Sequence, residues 1–318
     1  MYGYIHPDGS RAIDFRYSCA SPFDEGLASV CLDGKWGAID RRGEIVFLTD
    51  FEGIGHFSGG FAWCLENGLY GLLNAAGNVL VPPSFSGPVS PMCDGRAKVR
   101  LDRKFGYLDV FGNLAVPLRF NAANNFSEGF ASVELDSKRC YIDQAGALVF
   151  AESYYQTHPF SEGWAGVEDE SGAYFLDPTG AVVLRLPQGV YASEFSEGLA
   201  AAKFATPIAD NPEVYDVEVG YIDRSGETVI EPSFYIGGNF SNGVATVSVD
   251  ERTYGAIRDD GTWFAEPIYQ DVRRYTEERL AVQLNKRFGY LDDAGRQIIK
   301  PQYRRARPFS EGLADVEE

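Results

Sequence analysis

The residues best equipped for chemistry are few and scattered. His6, His56 and His158 are the only histidines, and no two stand at a spacing that would hold a metal ion. Five cysteines, Cys19, Cys31, Cys64, Cys93 and Cys140, lie in the first half of the chain at wide intervals. An odd count without a C-x-x-C is neither a disulfide framework nor a zinc site, and it fits a reducing compartment. The sequence has no G-x-S-x-G elbow, no Walker A loop and no strand-to-helix G-x-G-x-x-G. Its densest carboxylate cluster, Glu168-Asp169-Glu170, sits beside a predicted turn. These residues point to a protein that is not an enzyme and carries no cofactor or metal.

What positions them is a repeat. The glycine of a D-x-x-G pattern recurs at Gly9, Gly43, Gly77, Gly112, Gly146, Gly180, Gly226, Gly261 and Gly295, at intervals of 34, 34, 35, 34, 34, 46, 35 and 34. Aspartate opens the pattern at Asp40, Asp109, Asp143, Asp177, Asp223 and Asp292. Six recurrences of one aspartate argue for a structural role and against a unique active site. A second anchor, aromatic-S-E-G-L-A-x-V, begins at Phe23, Phe57, Phe126, Phe160, Phe195, Phe240 and Phe309, with Met92 and Tyr275 in weaker copies.

Asp at the first and Gly at the fourth position is the signature of a type I turn closed by a residue of positive φ, which joins two antiparallel strands. Leu27–Leu32 alternates apolar and polar residues as a half-buried strand does, and Asp33-Gly34 turns it into the next strand. Each unit therefore reads as a three-stranded antiparallel meander of about 34 residues followed by an irregular connector. Aromatics at 14% and 35 glycines agree with an all-β protein of short strands and tight turns. One meander cannot bury its apolar face alone, so the units must stack. Residues 1–318 are read as one repeat domain, with units bounded near 22, 56, 91, 125, 159, 194, 239, 274 and 308.

The run from Phe23 to Gly43, with F-x-E-G-L-A-x-V followed by K-W-G-A-I-D-x-x-G, resembles the bacterial WG repeat, also called the KWG repeat. Trp36-Gly37 is the name-giving pair. Tyr70, Phe105, Arg139, Tyr254 and Phe288 replace the tryptophan elsewhere, and Cys140 and Tyr174 replace the glycine in two units. The resemblance covers nearly the whole chain. It implies an all-β repeat fold with a binding role and no defined enzymatic activity, and some members look like partners of secreted toxins. The first unit lacks its opening strand, and Phe309–Val316 is an opening strand without a unit. Capped half-units at either end favour an open, twisted, solenoid-like array, with the charged Asp315, Glu317 and Glu318 protecting its edge. The alternative is a closed, propeller-like ring in which the last strand pairs with the first unit.

Three departures from the repeat mark where binding would sit. The 46-residue interval carries about twelve extra residues, Ala205–Glu218, where other units have a hairpin turn. Pro207, Asp210, Asn211 and Pro212 predict a loop there, and Pro207, Asp210, Asn211 and Asp216 are candidate contacts. Between Arg273 and Arg307, ten basic residues face four acidic ones, so this stretch is +6 and the remainder −24, for a total of −18. Arg304, Arg305 and Arg307 are candidate contacts for an anionic surface. Trp36 and Trp164 occupy repeat positions and are expected in the core, whereas Trp63 and Trp263 are less constrained and are candidate exposed contacts.

An acidic body attracts a basic protein and repels nucleic acid and anionic membrane. No run of 18 apolar residues occurs, and the first residues, MYGYIHPDGS, lack the basic and apolar segments of a signal peptide. The expectation is a cytoplasmic protein-binding scaffold, in its sharpest form an immunity-type partner that neutralises a basic toxin domain. The alternative is a carbohydrate or cell-envelope binder using exposed aromatics.

Overall fold

The computed structural model describes residues 1–208 and 211–318, without the side chains of residues 151, 152, 208 and 211–214. Two compact units make up the chain. One comprises Met1–Ser137, Tyr141–Leu148 and Gln302–Glu318, and the other Lys138–Cys140 and Val149–Pro301.

Nine small antiparallel sheets, here called blades 1–9, follow one another along the chain. Blade 2 shows the plan: Cys19–Ala20, Leu27–Leu32, Lys35–Asp40 and Ile45–Thr49 in that spatial order. The expected meander is the last three of these strands. The fourth comes from the connector, whose two-residue segment adds to the sheet through Cys19↔Cys31 and Ala20↔Val30. Blades that include this segment therefore start a few residues before the unit boundaries read from sequence. Among the described residues, blade 4 alone holds three strands, Ala97–Leu101, Lys104–Leu108 and Leu114–Phe120.

The turns follow local chemistry. At Asp40 the side-chain Oδ1 accepts the N–H groups of Arg42 and Glu44, each at 2.9 Å, while Gly43 N donates to Asp40 O at 2.9 Å. Asp109, Asp143, Asp177, Asp223 and Asp292 hold the same pair of amides. Gly112, Gly146, Gly180, Gly226 and Gly295 close those turns. The glycine has a second duty. At Gly295, φ is +74°, and a Cβ would stand 2.3 Å from the Phe264 carbonyl oxygen, so both backbone conformation and close approach exclude a side chain.

The F-S-E-G anchor is a two-residue turn with positive φ at both central positions, 53° at Glu162 and 78° at Gly163. It also grips the next blade. Ser161 Oγ donates to Phe195 O at 2.6 Å, and Ser196 Oγ to Phe240 O at 2.7 Å. The Glu162 carboxylate accepts Gly198 N–H at 3.1 Å, and Glu197 accepts Gly243 N–H at 2.8 Å. A buried tyrosine from the second strand after the anchor adds a third tie: Tyr107 Oη donates to Asn124 O at 2.6 Å and Tyr221 Oη to Gly238 O at 2.9 Å. Apolar residues of facing blades fill the space between, as Phe23, Ala28, Val30 and Ile39 do with Tyr4, Ile13 and Tyr17.

The open array expected from the sequence is overturned at the chain ends. Blade 1 is built from both of them, in the order Arg11–Tyr17, Tyr2–Ile5, Ala314–Glu317, Arg305–Ala306. The first and last strands pair through Tyr2↔Glu317, Gly3↔Val316, Tyr4↔Asp315 and Ile5↔Ala314. The same inter-blade grip then runs from the last anchor to the first: Ser310 Oγ donates to Phe23 O at 2.7 Å, and Glu311 accepts Gly26 N–H at 3.0 Å. The half-units at either end are two halves of one blade, and the topology is that of a closed nine-bladed β-propeller. Asp315 is no edge charge, being only 2% exposed.

Two expectations follow. Replacing Ser310 and Glu311 together by alanine removes the closing hydrogen bonds and should cost about 2–3 kcal/mol in urea unfolding; a loss under about 0.5 kcal/mol would mean that strand pairing alone closes the chain. Asp315 has a buried Oδ1 without a partner. Its burial pushes the carboxyl up to about 6, against the opposing pull of Arg307, 3.6 Å away. The native state thus holds a proton that the unfolded chain has lost, so stability should fall as pH rises from about 4 to 6, by at most about 3 kcal/mol. Asp315→Asn should match the parent near pH 4 and exceed it at pH 7 in denaturant titrations.

Candidate functional site

The outstanding departure from the repeat is in blade 7. Its central strands, Leu199–Ile208 and Asn211–Asp223, run far past the point where other blades turn. They pair continuously from Leu199↔Asp223 to Pro207↔Tyr215. The predicted loop is therefore a two-stranded ribbon. The β-forming alternation of Tyr215, Val217 and Val219 prevails over the turn chemistry of the prolines, and Pro207 is tolerated where no further strand lies beside it. Asp210 and the side chain of Asn211 lie outside the described residues.

The ribbon outlives its neighbours in the sheet. On one side Val190–Ala192 ends its pairing at Val190↔Phe204, with Gly189 O accepting Ala205 N–H at 2.8 Å. On the other side Thr228–Phe234 reaches only Val219↔Phe234. Beyond these points, among the described residues, the two strands pair only with each other. Because side chains alternate along a strand, Tyr215 and Val217 share one face and Asp216 and Glu218 the other. Tyr215 is 54% exposed and Val217 43%. Phe204, Thr206, Pro207, Asp216, Glu218 and Pro232 line an open depression at the ribbon's foot. Among the described residues, neither Asp216 nor Glu218 has a cation partner.

A crevice near the same end of blade 7 is lined by His158, Tyr174, Phe175, Tyr191 and Lys203 among others. His158 Nδ1 lies 3.7 Å from Glu194 Oε2, and Asn239 Nδ2 donates to Glu194 Oε1 at 2.7 Å. The interaction with His158, against the penalty of burial, holds the Glu194 carboxyl down at about 2. The adjacent Ser193 Oγ lies 3.2 Å from both Ala201 O and Asn239 Oδ1. These contacts join connectors of successive blades. Within the carboxylate cluster, Asp169 is engaged locally: its Oδ1 accepts Ser171 N–H at 2.7 Å and its other oxygen takes the Tyr174 hydroxyl. No group of three or more His, Cys, Asp or Glu side chains is placed to hold a metal ion among the described residues.

The other sequence candidates fall elsewhere. Trp63 is half-buried, edge-on to Tyr70 at 5.3 Å, and its indole fills the space that a Cβ on Gly55 would occupy. Trp263 is half-buried against Phe234 at 6.0 Å. Neither is the exposed contact expected of it, because each lies over a position where the backbone leaves room for a ring. Trp36 and Trp164 are also half-buried, the latter beneath the Arg224 guanidinium at 3.8 Å. Arg305 donates to Tyr2 Oη at 3.2 Å and pairs with Glu317, while Arg307 donates to Ala20 O at 3.2 Å. Both are engaged in closing blade 1, and Arg304 beside them is exposed.

If the ribbon is an accessory to the fold, removing it leaves the blades intact. Replacing residues 205–217 by Asp-Gly joins Phe204 to its partner Glu218 through a turn like those of other blades. Unfolding free energy should change by less than about 1 kcal/mol, since little core is lost. A collapse of the cooperative transition would show that the ribbon is structural.

No curated protein matches the chain in sequence. Among solved structures, a eukaryotic initiation factor superposes with a TM-score of 0.67 at 10% identity, covering 99% of this chain and 97% of that one. The dihydro-heme d1 dehydrogenase NirN superposes with a TM-score of 0.51 at 12% identity, covering 93% and 76%. At such identities the likeness speaks to fold alone. The WG-containing repeat matches residues 2–36, 36–70, 105–138, 220–252, 254–287 and 288–318, most of the chain, and the protein belongs to that repeat family.

Proposed function

We propose that this protein is a non-enzymatic scaffold that holds a basic protein partner, with the blade 7 ribbon as a principal contact. One observation carries the reading. Among the described residues, only blade 7 projects a long ribbon, and that ribbon presents exposed Tyr215 and Val217 beside Asp216 and Glu218, which have no cation partner there. Apolar area with neighbouring charge is the composition of a specific protein contact. The net charge of −18 favours a basic partner and speeds its approach.

The sharper form of the proposal is that the partner is a toxin domain, neutralised in the cytoplasm by having its working surface covered. The repeat family's resemblance to toxin partners supports that form, as does the acidic charge. The five free thiols accord with a reducing compartment.

The test compares two tagged proteins, the full chain and the chain with residues 205–217 replaced by Asp-Gly, as baits in native lysate at low and moderate salt. The full chain should retain one basic protein in stoichiometric amount, the shortened chain should lose it, and salt should weaken the retention. Equal retention by both would remove the ribbon from the contact. For the toxin form, co-expression should rescue growth of cells making the captured partner, and persistent toxicity would rule that form out.

A further inference from the structure

We propose that the free edge of the ribbon at residues 215–218 takes up an extended basic segment of the partner by strand addition. The inference rests on the scaffold reading and specifies how the ribbon binds. The pairing sets the geometry. From Asp223 to Tyr215, strand 211–223 has residues 199–207 on one side, and the register shifts beyond Pro207↔Tyr215; on the other side its neighbour stops at Val219↔Phe234. After Phe234 the chain leaves for blade 8, and Gly237 closes over Val219 so tightly that a Cβ there would stand 2.7 Å from Val219 Cγ1. Along Tyr215–Glu218, alternate residues therefore turn N–H and C=O groups toward solvent, which is the template for an added strand.

The blades treat their other edges differently. Their final strands carry proline in five cases, Pro82 and Pro83, Pro117, Pro232, Pro267 and Pro301, and the registers of the first four are broken by bulges. Proline and bulges stop an edge from recruiting another strand. Within Tyr215-Asp216-Val217-Glu218 there is neither, and these four residues pair in unbroken register with Phe204–Pro207; the register shift and Pro212 lie beyond Tyr215. The charges on this edge decide the occupant. Two copies of this segment laid side by side would bring carboxylates together, which disfavours self-association. A strand alternating basic and apolar residues meets the opposite situation. Its basic side chains lie over Asp216 and Glu218 and the depression lined by Phe204 and Pro232, and its apolar ones lie over Tyr215 and Val217.

The experiment uses a capped peptide alternating lysine and valine, a glutamate–valine counterpart, and the full chain. The lysine peptide should bind, and hydrogen exchange of the amides at residues 215–218 should slow in its presence. The Asp216→Lys, Glu218→Lys double variant should lose at least tenfold in affinity for it and prefer the glutamate peptide. Thermal unfolding of the free variant, unchanged from the parent, confirms that its fold is intact. Binding that ignores the charge reversal, or that leaves exchange at 215–218 unaltered, overturns strand addition. A partner from lysate that depends on the ribbon, without protection of these amides, also overturns it while leaving the scaffold reading in place. A partner indifferent to the ribbon fails that reading instead.

Discussion

The grip that the F-S-E-G turns at Phe160, Phe195 and Phe309 exert on the next blade is the interaction on which the architecture depends. A four-stranded blade exposes two faces and cannot stand alone in water. Packing of Phe, Val and Tyr side chains between blades supplies the driving force but little orientation. The serine and glutamate supply orientation, because Ser310 Oγ on Phe23 O and Glu311 on Gly26 N–H fix the next turn at two points. Holding the glutamate at positive φ aims its carboxylate across the seam, and the repeat accepts that conformational strain at Glu25, Glu128, Glu162, Glu197 and Glu311 alike. The aliphatic positions of the same motif, Leu27 to Val30 in blade 2, then enter the strand already in register.

Much of this was legible in the sequence because it depends on local backbone chemistry. A recurring Asp with Gly three residues on implies one turn geometry whatever surrounds it, and the turn at Asp40–Gly43 has that geometry. The name-giving glycine also has a local cause. A Cβ on Gly71 or Gly106 would stand 2.4 or 2.5 Å from the carbonyl oxygen of Val81 or Val116. Where Tyr174 replaces it, the neighbouring strand Val182–Arg185 is short and runs in register from Phe175↔Leu184 to Tyr174↔Arg185. The relevance of the glutamate in the anchor was also visible, as a polar residue recurring beside glycine, but its target was not. That target is an amide one repeat away, and periodicity does not reveal what reaches across a seam.

Closure and the ribbon were hidden for a related reason. A half-unit at each end looks the same whether it caps an array or completes a blade, and the difference lies in pairing between residues such as Tyr4 and Asp315 at opposite ends of the chain. Charge was misleading as well. Asp315 reads as an exposed terminal acid, yet it occupies the place of Ser29 in blade 2 and is buried. In the insertion, the prolines and Asn211 spoke for a loop, while Tyr215, Val217 and Val219 spoke for strand. With a ready partner in Phe204 and its neighbours, the strand preference won. The arginines and tryptophans were singled out by type, but burial and pairing turned Trp63, Trp263, Arg305 and Arg307 into parts of the frame.

A closed array built from one motif has a difficulty with specificity, since a contact made by one blade's consensus residues is available on the others. Selective binding therefore has to come from what is not repeated. The consensus positions here are spent on turns, seams and core, and their side chains are bonded or buried. The ribbon differs in each respect that matters. Among the described residues it occurs once, its outer strands fall away, and Asp216 and Glu218 have no cation partner. An unprotected edge in a protein that elsewhere blunts its edges with proline and bulges is a liability unless it is used. The cost of leaving it open is lowered by Asp216 and Glu218, which repel another copy of the same edge. Those same charges select a basic strand over the many neutral and acidic segments that the bare backbone would otherwise accept.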